Sequence, residues 1–303
     1  MKKIEIKTDE NLKIKDFILR HIKNVTTSSV ERALKKGDIK VNNKKVNYSY
    51  ILNKGDVIKL FISFKEKECD YSFLKCEGKI DIFYEDENII IINKKCGVLS
   101  QQDKMEKIEN LNNQIKKYLF SKKEWDPNNI DGFVPNLCHR LDRDTTGLII
   151  AAKNLKTLRE INSCFTNGLI IKKYIALVYG DIPRGKVKLE SYIMKNEKTN
   201  LMEIDKENIF NKKIITEYEL IKSYGNYSKI KIRIYTGKKH QIRVHMATIN
   251  HPILADSKYN KINSLNFKNL CLQANEIKFE LPSNHFLSYL NEIEFKLSET
   301  KFT

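Results

Sequence analysis

Hydrophobic residues recur with helical spacing in two short segments near the start of the chain, within residues 11–36. The second segment opens with Thr27-Ser28-Ser29, residue types that cap helix N-termini, and stops at Gly37, a residue type that ends helices. The predicted apolar faces comprise Leu12, Phe17, Ile18, Leu19 and Ile22 in the first helix and Val30, Ala33 and Leu34 in the second.

Alternating apolar and polar residues follow, first over 38–46 around an Asn-Asn turn and then over 56–62. This alternation predicts half-buried strands. Residues 1–64 are therefore predicted to form a small domain in which two helices pack on a curled sheet. Residues 65–79 are rich in charge and poor in periodic apolar positions, which predicts a linker between domains.

Residues 80–303 contain many strand-like segments joined by short turns and few helices, which predicts an α+β domain with a large mixed, mostly antiparallel sheet flanked by helices and loops. The predicted strands are Ile80–Asn93, Leu148–Lys153, Tyr174–Tyr179, Val187–Met194, Ile214–Ser223, Lys229–Thr236 and Leu270–Phe279; the predicted helices span 107–121, 154–166 and 239–249. The sequence has no glycine-rich phosphate-binding loop, so nucleotide-dependent chemistry is not expected.

The charge distribution indicates what kind of partner the protein binds. The formal net charge is +17, and residues 1–65 hold 16 Lys and Arg against 7 Asp and Glu, a local net charge of +9. Basic side chains that approach phosphates release condensed counterions, so this distribution favours a nucleic acid partner. The alternative is a merely solvated basic surface, since the Lys, Asn and Ile content also fits an AT-rich genome.

Other features of the composition indicate a cytoplasmic protein. Apolar runs stay well below the roughly 20 residues of a membrane helix, and polar residues interrupt any signal-peptide core at the N-terminus. The six cysteines are scattered without a Cys-x-x-Cys pair, so we expect reduced thiols and neither a zinc site nor a disulfide framework.

Arginine is scarce, which makes its positions informative: only eight of the 55 basic residues are Arg. Two of them, Arg140 and Arg143, flank Asp142 in a predicted loop before an apolar strand. A guanidinium keeps a nearby carboxylate ionised, which suits a nucleophile or general base, although an ordinary loop ion pair is the alternative. Asp144 is interpreted as structural, capping the turn through Thr145 and Thr146.

The segment from Thr236 to Asp256 contains the densest group of histidines, His240, His245 and His251. Their spacings do not place two imidazoles on one helical face, so metal ligation is disfavoured. On a helix starting near Lys239, Arg243 projects from a different face than Met246 and can point at an acidic loop.

Three motifs together resemble the RluA-type pseudouridine synthase family. They are the His-Arg-Leu-Asp segment with its Thr-Gly and apolar strand at 139–150, the strand "KKYIALVYG" at 172–180, and "TGKKHQIRVH" followed by His-Pro-Ile at 236–253; the segment "YEDENIIIINKKCG" at 84–97 also fits. The run from Ser28 to Leu60 resembles an S4-type RNA-binding domain, a small α/β module. The resemblance covers residues 12–282 and departs from the family pattern at Lys95, Gln273-Ala274 and Leu281-Pro282.

The resemblance implies isomerisation of uridine in RNA without a cofactor or metal. Asp142 would be the catalytic aspartate, paired with Arg243, while Tyr174 would line the base and assist removal of the C5 proton. Arg140 would enter the RNA and Ile242 would pack beneath the site; His139 and Thr145 complete the implied substrate-binding set. The implied RNA-binding residues of the small domain are Arg20, Arg32, Lys35, Lys36, Lys40, Lys44 and Lys45.

Family members with such an N-terminal domain act on large-subunit ribosomal RNA, including types C and D. We therefore expect 23S rRNA as the substrate, with tRNA as the alternative, and a monomer because no spare apolar helix seam is evident. Two other hypotheses stay open: a non-catalytic RNA-binding or ribosome-assembly protein, and a metal-dependent hydrolase that uses Asp142, Asp144 and the histidines.

Overall fold

The computed structural model describes residues 4–8, 11–22, 25, 27–61, 70–128, 133–199, 201–205, 211–260, 266–298 and 302. The chain divides into two compact units. One comprises Met1–Tyr71 with Asp126–Gly132, and the other comprises Ser72–Trp125 with Phe133–Thr303. None of the helices in the described parts of the chain combines the length and apolar content that a bilayer crossing requires.

The first unit packs two helices on a small antiparallel sheet, as predicted. Its elements are β1 (Ile4–Lys7), α1 (Ile14–His21), α2 (Thr27–Lys36), β2 (Ile39–Val41), β3 (Lys44–Lys45) and β4 (Val57–Leu60), with strand order β1-β4-β2-β3. The predicted apolar positions Phe17, Val30 and Leu34 lie in its core. Strand β1 was not predicted, since four residues that alternate with charges give little signal; Ile62 lies outside the described residues.

The predicted Asn-Asn turn joins β2 to β3. Asn42 and Asn43 have φ values of 48° and 66°, a left-handed backbone that Asn tolerates better than most residues. The Asn42 side chain donates to Asp56 (2.7 Å) and accepts from the Val57 N–H (2.9 Å). These bonds tie the turn to the start of β4.

The second unit is built on one large sheet, and the predicted α+β fold class with a mixed, mostly antiparallel sheet is confirmed. Its elements are β5 (Ile82–Glu85), β6 (Ile89–Lys94), α3 (Leu111–Ser121), β7 (Asn136–Leu137), β8 (Thr146–Ala152), α4 (Leu155–Thr166), β9 (Ile170–Tyr179), β10 (Lys186–Lys195), β11 (Met202–Asp205), β12 (Lys212–Ser223), β13 (Tyr227–Ile234), α5 (Gln241–Thr248), β14 (Leu272–Phe279) and β15 (Phe295–Lys296). Among the described residues the strand order is β11-β10-β12-β13-β9-β14-β8-β6-β5, with β15 beside β14 and β7 beside β8. The β8–β14 pair is parallel and the other pairs are antiparallel.

Two local structures differ from the sequence prediction. The segment predicted as one strand over 80–93 is a hairpin of β5 and β6, because the Asp86 carboxylate accepts the N–H groups of Asn88 (2.6 Å) and Ile89 (2.7 Å) and forms a turn. The predicted linker lies partly outside the described residues, over 65–69. Its later part contains a short 3-10 helix, Ser72–Lys75, in which Phe73 is buried within the second unit.

The central strands β6 and β8 are buried on both faces, which separates two apolar cores. Ile90 and Ile92 pack in the core that contains Tyr174, whereas Ile89 and Ile91 pack in the opposite core. Continuous apolar runs are typical of strands covered on both faces.

Gly147 lies in close contact with the backbone of β14. Its φ is +103°, and a Cβ built at this position would lie 2.1 Å from the carbonyl oxygen of Ala274, its parallel partner in β14. Only glycine accommodates both the backbone conformation and this contact.

We predict that Gly147→Ala lowers the free energy of unfolding by about 3 kcal/mol or more, because the added methyl group meets rigid backbone and the left-handed φ is strained. Gly168→Ala is the matched control: Gly168 also has a positive φ (+72°), but open space surrounds its Cβ position, so about 1 kcal/mol is expected. Urea unfolding followed by circular dichroism measures both. Equal costs for the two variants would contradict the role of the β8–β14 contact.

Candidate active site

The loop between β7 and β8 carries Asp142, and hydrogen bonds from buried side chains hold its backbone in place. The buried Lys94 ammonium donates to the carbonyls of Lys95 (3.0 Å), Val98 (2.8 Å) and Arg143 (2.7 Å). Burial lowers the pKa of Lys94 to about 8. The Ser100 hydroxyl donates to the Leu141 carbonyl (2.7 Å) and accepts the Leu141 N–H (3.1 Å), so the backbone on both sides of Asp142 is held.

Arg243 from α5 reaches this loop. Its Nη1 lies 3.2 Å from Asp142 Oδ2, and the side chains are 4% and 25% exposed, so the guanidinium is buried while the carboxylate keeps an open side. The expected pairing of Asp142 with Arg243 is therefore present in the structure.

The expectation that Asp142 is held between its sequence neighbours was wrong. All three residues of this turn are described, and Asp142 makes no ion pair with Arg140 or Arg143. The turn exposes both arginines and uses the Arg143 carbonyl to bind Lys94. The predicted Asp144 cap is also replaced: the Thr145 N–H donates to the carbonyl of Asp142 (3.2 Å).

His240 lies beside the same carboxylate, with its Nε2 3.8 Å from Asp142 Oδ2. It precedes α5 in a left-handed conformation (φ 54°), and its Nδ1 is 2.9 Å from the Tyr259 hydroxyl. That hydroxyl accepts the Met202 N–H (2.9 Å) and has a proton of its own to donate to Nδ1; with Nδ1 as acceptor, the imidazole proton lies on Nε2 and faces Asp142. Burial lowers the pKa of His240 to about 4, so the ring is neutral at pH 7.

Tyr174 and Ile242 lie in the apolar core next to the Asp142 loop. Both are nearly buried, 5% and 6% exposed, and both belong to the same core as Leu141. Burial raises the pKa of Tyr174, and the negative charge of Asp142 raises it further, so the phenol stays protonated. A protonated phenol can donate a hydrogen bond beside a carboxylate.

The other implied substrate-binding residues form no side-chain hydrogen bond or ion pair with Asp142 among the described contacts. His139 Nε2 accepts the Ile150 N–H (3.1 Å), and its ring packs edge-on against Phe165 (5.1 Å between centroids). Thr145 is buried, whereas Arg140 is exposed.

The three histidines of the 236–256 segment do not converge. His240 contacts Tyr259, His245 Nδ1 lies 2.8 Å from the Thr216 hydroxyl, and His251 Nδ1 lies 2.9 Å from the Tyr179 carbonyl. Across the described residues, no group of three or more potential metal ligands comes together.

Four residues that organise the site were missed from the sequence: Lys94, Gln241, Asp256 and Tyr259. The Gln241 amide illustrates why, since it accepts from Thr236 and the Lys238 N–H while donating to the Ile215 carbonyl and Thr216. Two of its partners, Ile215 and Thr216, lie on β12, so spacing along the chain carries no signal of these contacts. Asp256 could have been noticed as the acidic end of the His-Pro-Ile segment.

The basic residues of the first unit are mostly at its surface. Arg20, Arg32, Lys35, Lys36, Lys44 and Lys45 are exposed, and Lys40 is half-buried with its ammonium 5.5 Å from the centre of the Phe61 ring. Three of these cations, Arg32, Lys35 and Lys36, lie on α2.

The fold and this carboxylate–guanidinium pair define a class of RNA-modifying enzyme. Residues 88–248 match the RNA pseudouridylate synthase family, and residues 14–58 match the S4 domain. The chain belongs to the RNA pseudouridylate synthase family, and it is an isomerase that converts uridine to pseudouridine in RNA.

The chain is similar in sequence to individual relatives over nearly its whole length. It is 32% identical over 297 residues to the ribosomal large subunit pseudouridine synthase D of Borreliella burgdorferi, covering 96% of this chain and 89% of that protein. It is 29% identical over 296 residues to the ribosomal large subunit pseudouridine synthase C of Haemophilus influenzae, covering 94% and 88%. The solved structure of human RNA pseudouridylate synthase domain containing 1 shares the fold, with a TM-score of 0.57 and 21% identity over 73% of this chain and 84% of that chain.

The buried neutral histidines make stability depend on pH. The pKa of His240 and that of His245 are each lowered by burial to about 4, against about 6.5 in an unfolded chain. Between pH 6.5 and 4 the unfolded state binds these protons and the folded state does not. We predict that the free energy of unfolding falls by about 1.4 kcal/mol per pH unit for each histidine in this window. Chemical denaturation at several pH values, on wild type and on His245→Gln, measures this; an unchanged slope in the variant would contradict it.

Proposed function

We propose that Asp142 is the catalytic carboxylate and acts on the sugar of the target uridine. The observation that carries this proposal is the one-sided environment of Asp142: a buried guanidinium on one side, a neutral imidazole and a phenol near it, and an open face. A carboxylate in such a setting can stabilise positive charge at C1′ while the bond to N1 breaks. The uracil then turns and rejoins through C5; C5 loses its proton and N1, freed from the sugar, takes one up, so the composition is unchanged.

The residues around Asp142 have supporting roles that follow from where they lie. Arg243 pairs with the Asp142 carboxylate and orients it, and Ile242 lines the apolar wall of the site. Tyr174 stacks or packs against the displaced uracil and assists the proton transfer from C5. A uridine in folded RNA must leave its stack to reach this face, and the exposed Arg140 takes the space that it vacates. The reaction conserves composition, so neither ATP nor a redox carrier is required.

We propose that the first unit anchors the RNA through phosphates and shape. Its exposed cations on α2 and on the β2–β3 turn suit backbone contacts, which position an RNA without reading its sequence. We also propose that the enzyme is a cytoplasmic monomer. The names of the relatives in Borreliella burgdorferi and Haemophilus influenzae support large-subunit ribosomal RNA as the substrate, with 23S rRNA favoured over tRNA.

For catalysis, we predict that Asp142→Asn lowers the rate of tritium release from RNA labelled with [5-³H]uridine by at least about 10³-fold, because the amide carries no charge. The matched control is Asp144→Asn, which removes a neighbouring carboxylate from the same turn and is expected to keep most of the activity. Full release by Asp142→Asn would contradict the proposed role. Strand scission by the wild type that EDTA abolishes would favour the metal-dependent hydrolase instead.

For the substrate, we predict that a deletion strain lacks one or more carbodiimide-dependent primer-extension stops in 23S rRNA. A plasmid carrying the wild-type gene restores these stops, and the Asp142→Asn gene does not. Stops that disappear in tRNA alone would contradict the ribosomal assignment while leaving the reaction intact.

A further inference from the structure

The Asp256 carboxylate accepts four hydrogen bonds close to the site. Its side chain is fully buried, and it binds Arg243 through two parallel hydrogen bonds, from Nε to Oδ2 (2.8 Å) and from Nη2 to Oδ1 (2.7 Å). Oδ1 also accepts the N–H groups of Lys258 (2.9 Å) and Tyr259 (3.2 Å). A bidentate pair with this geometry fixes the plane of a guanidinium as well as its charge.

This pairing determines which edge of Arg243 faces Asp142. Nε and Nη2 are occupied by Asp256, so Nη1 is the nitrogen that remains directed at Asp142, at 3.2 Å. The Tyr259 ring lies against the guanidinium as well, 5.3 Å from its Cζ. A turn of the guanidinium toward Asp142 would break two charge-assisted hydrogen bonds in a buried environment, where each is strong.

The segment that carries Asp256 is itself anchored to the sheet. Leu254 donates its N–H to the Leu177 carbonyl and accepts the Cys271 N–H, which ties the segment to β9, the strand of Tyr174. The Asn260 side chain donates to the Ile253 carbonyl (3.0 Å), and the Asn260 N–H donates to the Asp256 carbonyl (2.9 Å). Asp256 therefore occupies a fixed position relative to the strand that lines the site.

We infer that Asp256 is a positioning residue for the isomerisation: it holds the Arg243 guanidinium so that a single nitrogen contacts Asp142 and the rest of that carboxylate stays available to the substrate. The inference rests on the proposed roles of Asp142 and Arg243. Two carboxylates share one guanidinium, so the three side chains keep a net negative charge that can face a developing cation. Without Asp256, Arg243 is free to bind Asp142 through two nitrogens and to withdraw its charge from the sugar.

The test compares Asp256→Asn with wild type under single-turnover and steady-state conditions, using tritium release from rRNA transcripts. We expect kcat to fall about 100-fold with KM within about threefold, since orientation and not RNA binding is lost. Asp256→Glu keeps the charge and is expected to retain at least about ten times the activity of Asp256→Asn. The matched control, Asn260→Ala, removes an anchor of the same segment without touching Arg243, and its kcat is expected to stay near that of wild type.

A second comparison separates positioning from simple loss of stability. Arg243→Lys cannot form the two-point pair, so adding Asp256→Asn to it should lower kcat by less than threefold. An undiminished kcat in Asp256→Asn, or equal kcat losses in Asp256→Asn and Asn260→Ala at matched melting temperatures, would overturn the inference. A further loss of about 100-fold in kcat when Asp256→Asn is added to Arg243→Lys would also overturn it. Activity in Asp142→Asn would instead overturn the proposed function, whatever the Asp256 variants show.

Discussion

The proposed chemistry depends on the contact of one buried guanidinium with one partly exposed carboxylate. Arg243 is 4% exposed and Asp142 is 25% exposed, so the pair has a protected side and a side open to a ligand. A charge buried without a partner is costly, whereas a charge paired on one side and open on the other can act on a substrate. The surrounding structure holds these two side chains so that one side of the carboxylate is paired and the other stays open.

Several segments that are far apart in the sequence position Asp142 and Arg243. Lys94 at the end of β6 binds the Asp142 loop through three carbonyls, while Gly147 lets β8 lie directly against β14 just after that loop. On the other side, Gln241 fixes the start of α5 to β12, so that Arg243 projects at a set position. The result is a site whose polar groups are ordered by buried hydrogen bonds before any RNA binds, which lowers the cost of reorganisation during the reaction.

The sequence predicted those parts of the molecule that depend on local patterns. The apolar runs gave the central strands, the Asn-Asn pair gave the β2–β3 turn, and the motifs around Asp142 and Arg243 indicated that the two meet. Local patterns did not predict most contacts set by tertiary packing. The local pattern placed Asp142 between Arg140 and Arg143, whereas its guanidinium partner is Arg243, 101 positions away, a pairing that only the family resemblance implied. Lys94 and Asp256 carry no spacing signal because their partners are backbone carbonyls or side chains on other elements.

The most direct test of the central claim is a crystal structure of the enzyme bound to an RNA that carries a non-isomerisable analogue at the target uridine. We expect the nucleotide to be swung out of its stack, with an Asp142 carboxylate oxygen about 3–3.5 Å from C1′ of its sugar and Arg243 still paired on the opposite side. A bound nucleotide that lies against another surface, with the Asp142 carboxylate closed off from it, would contradict this account.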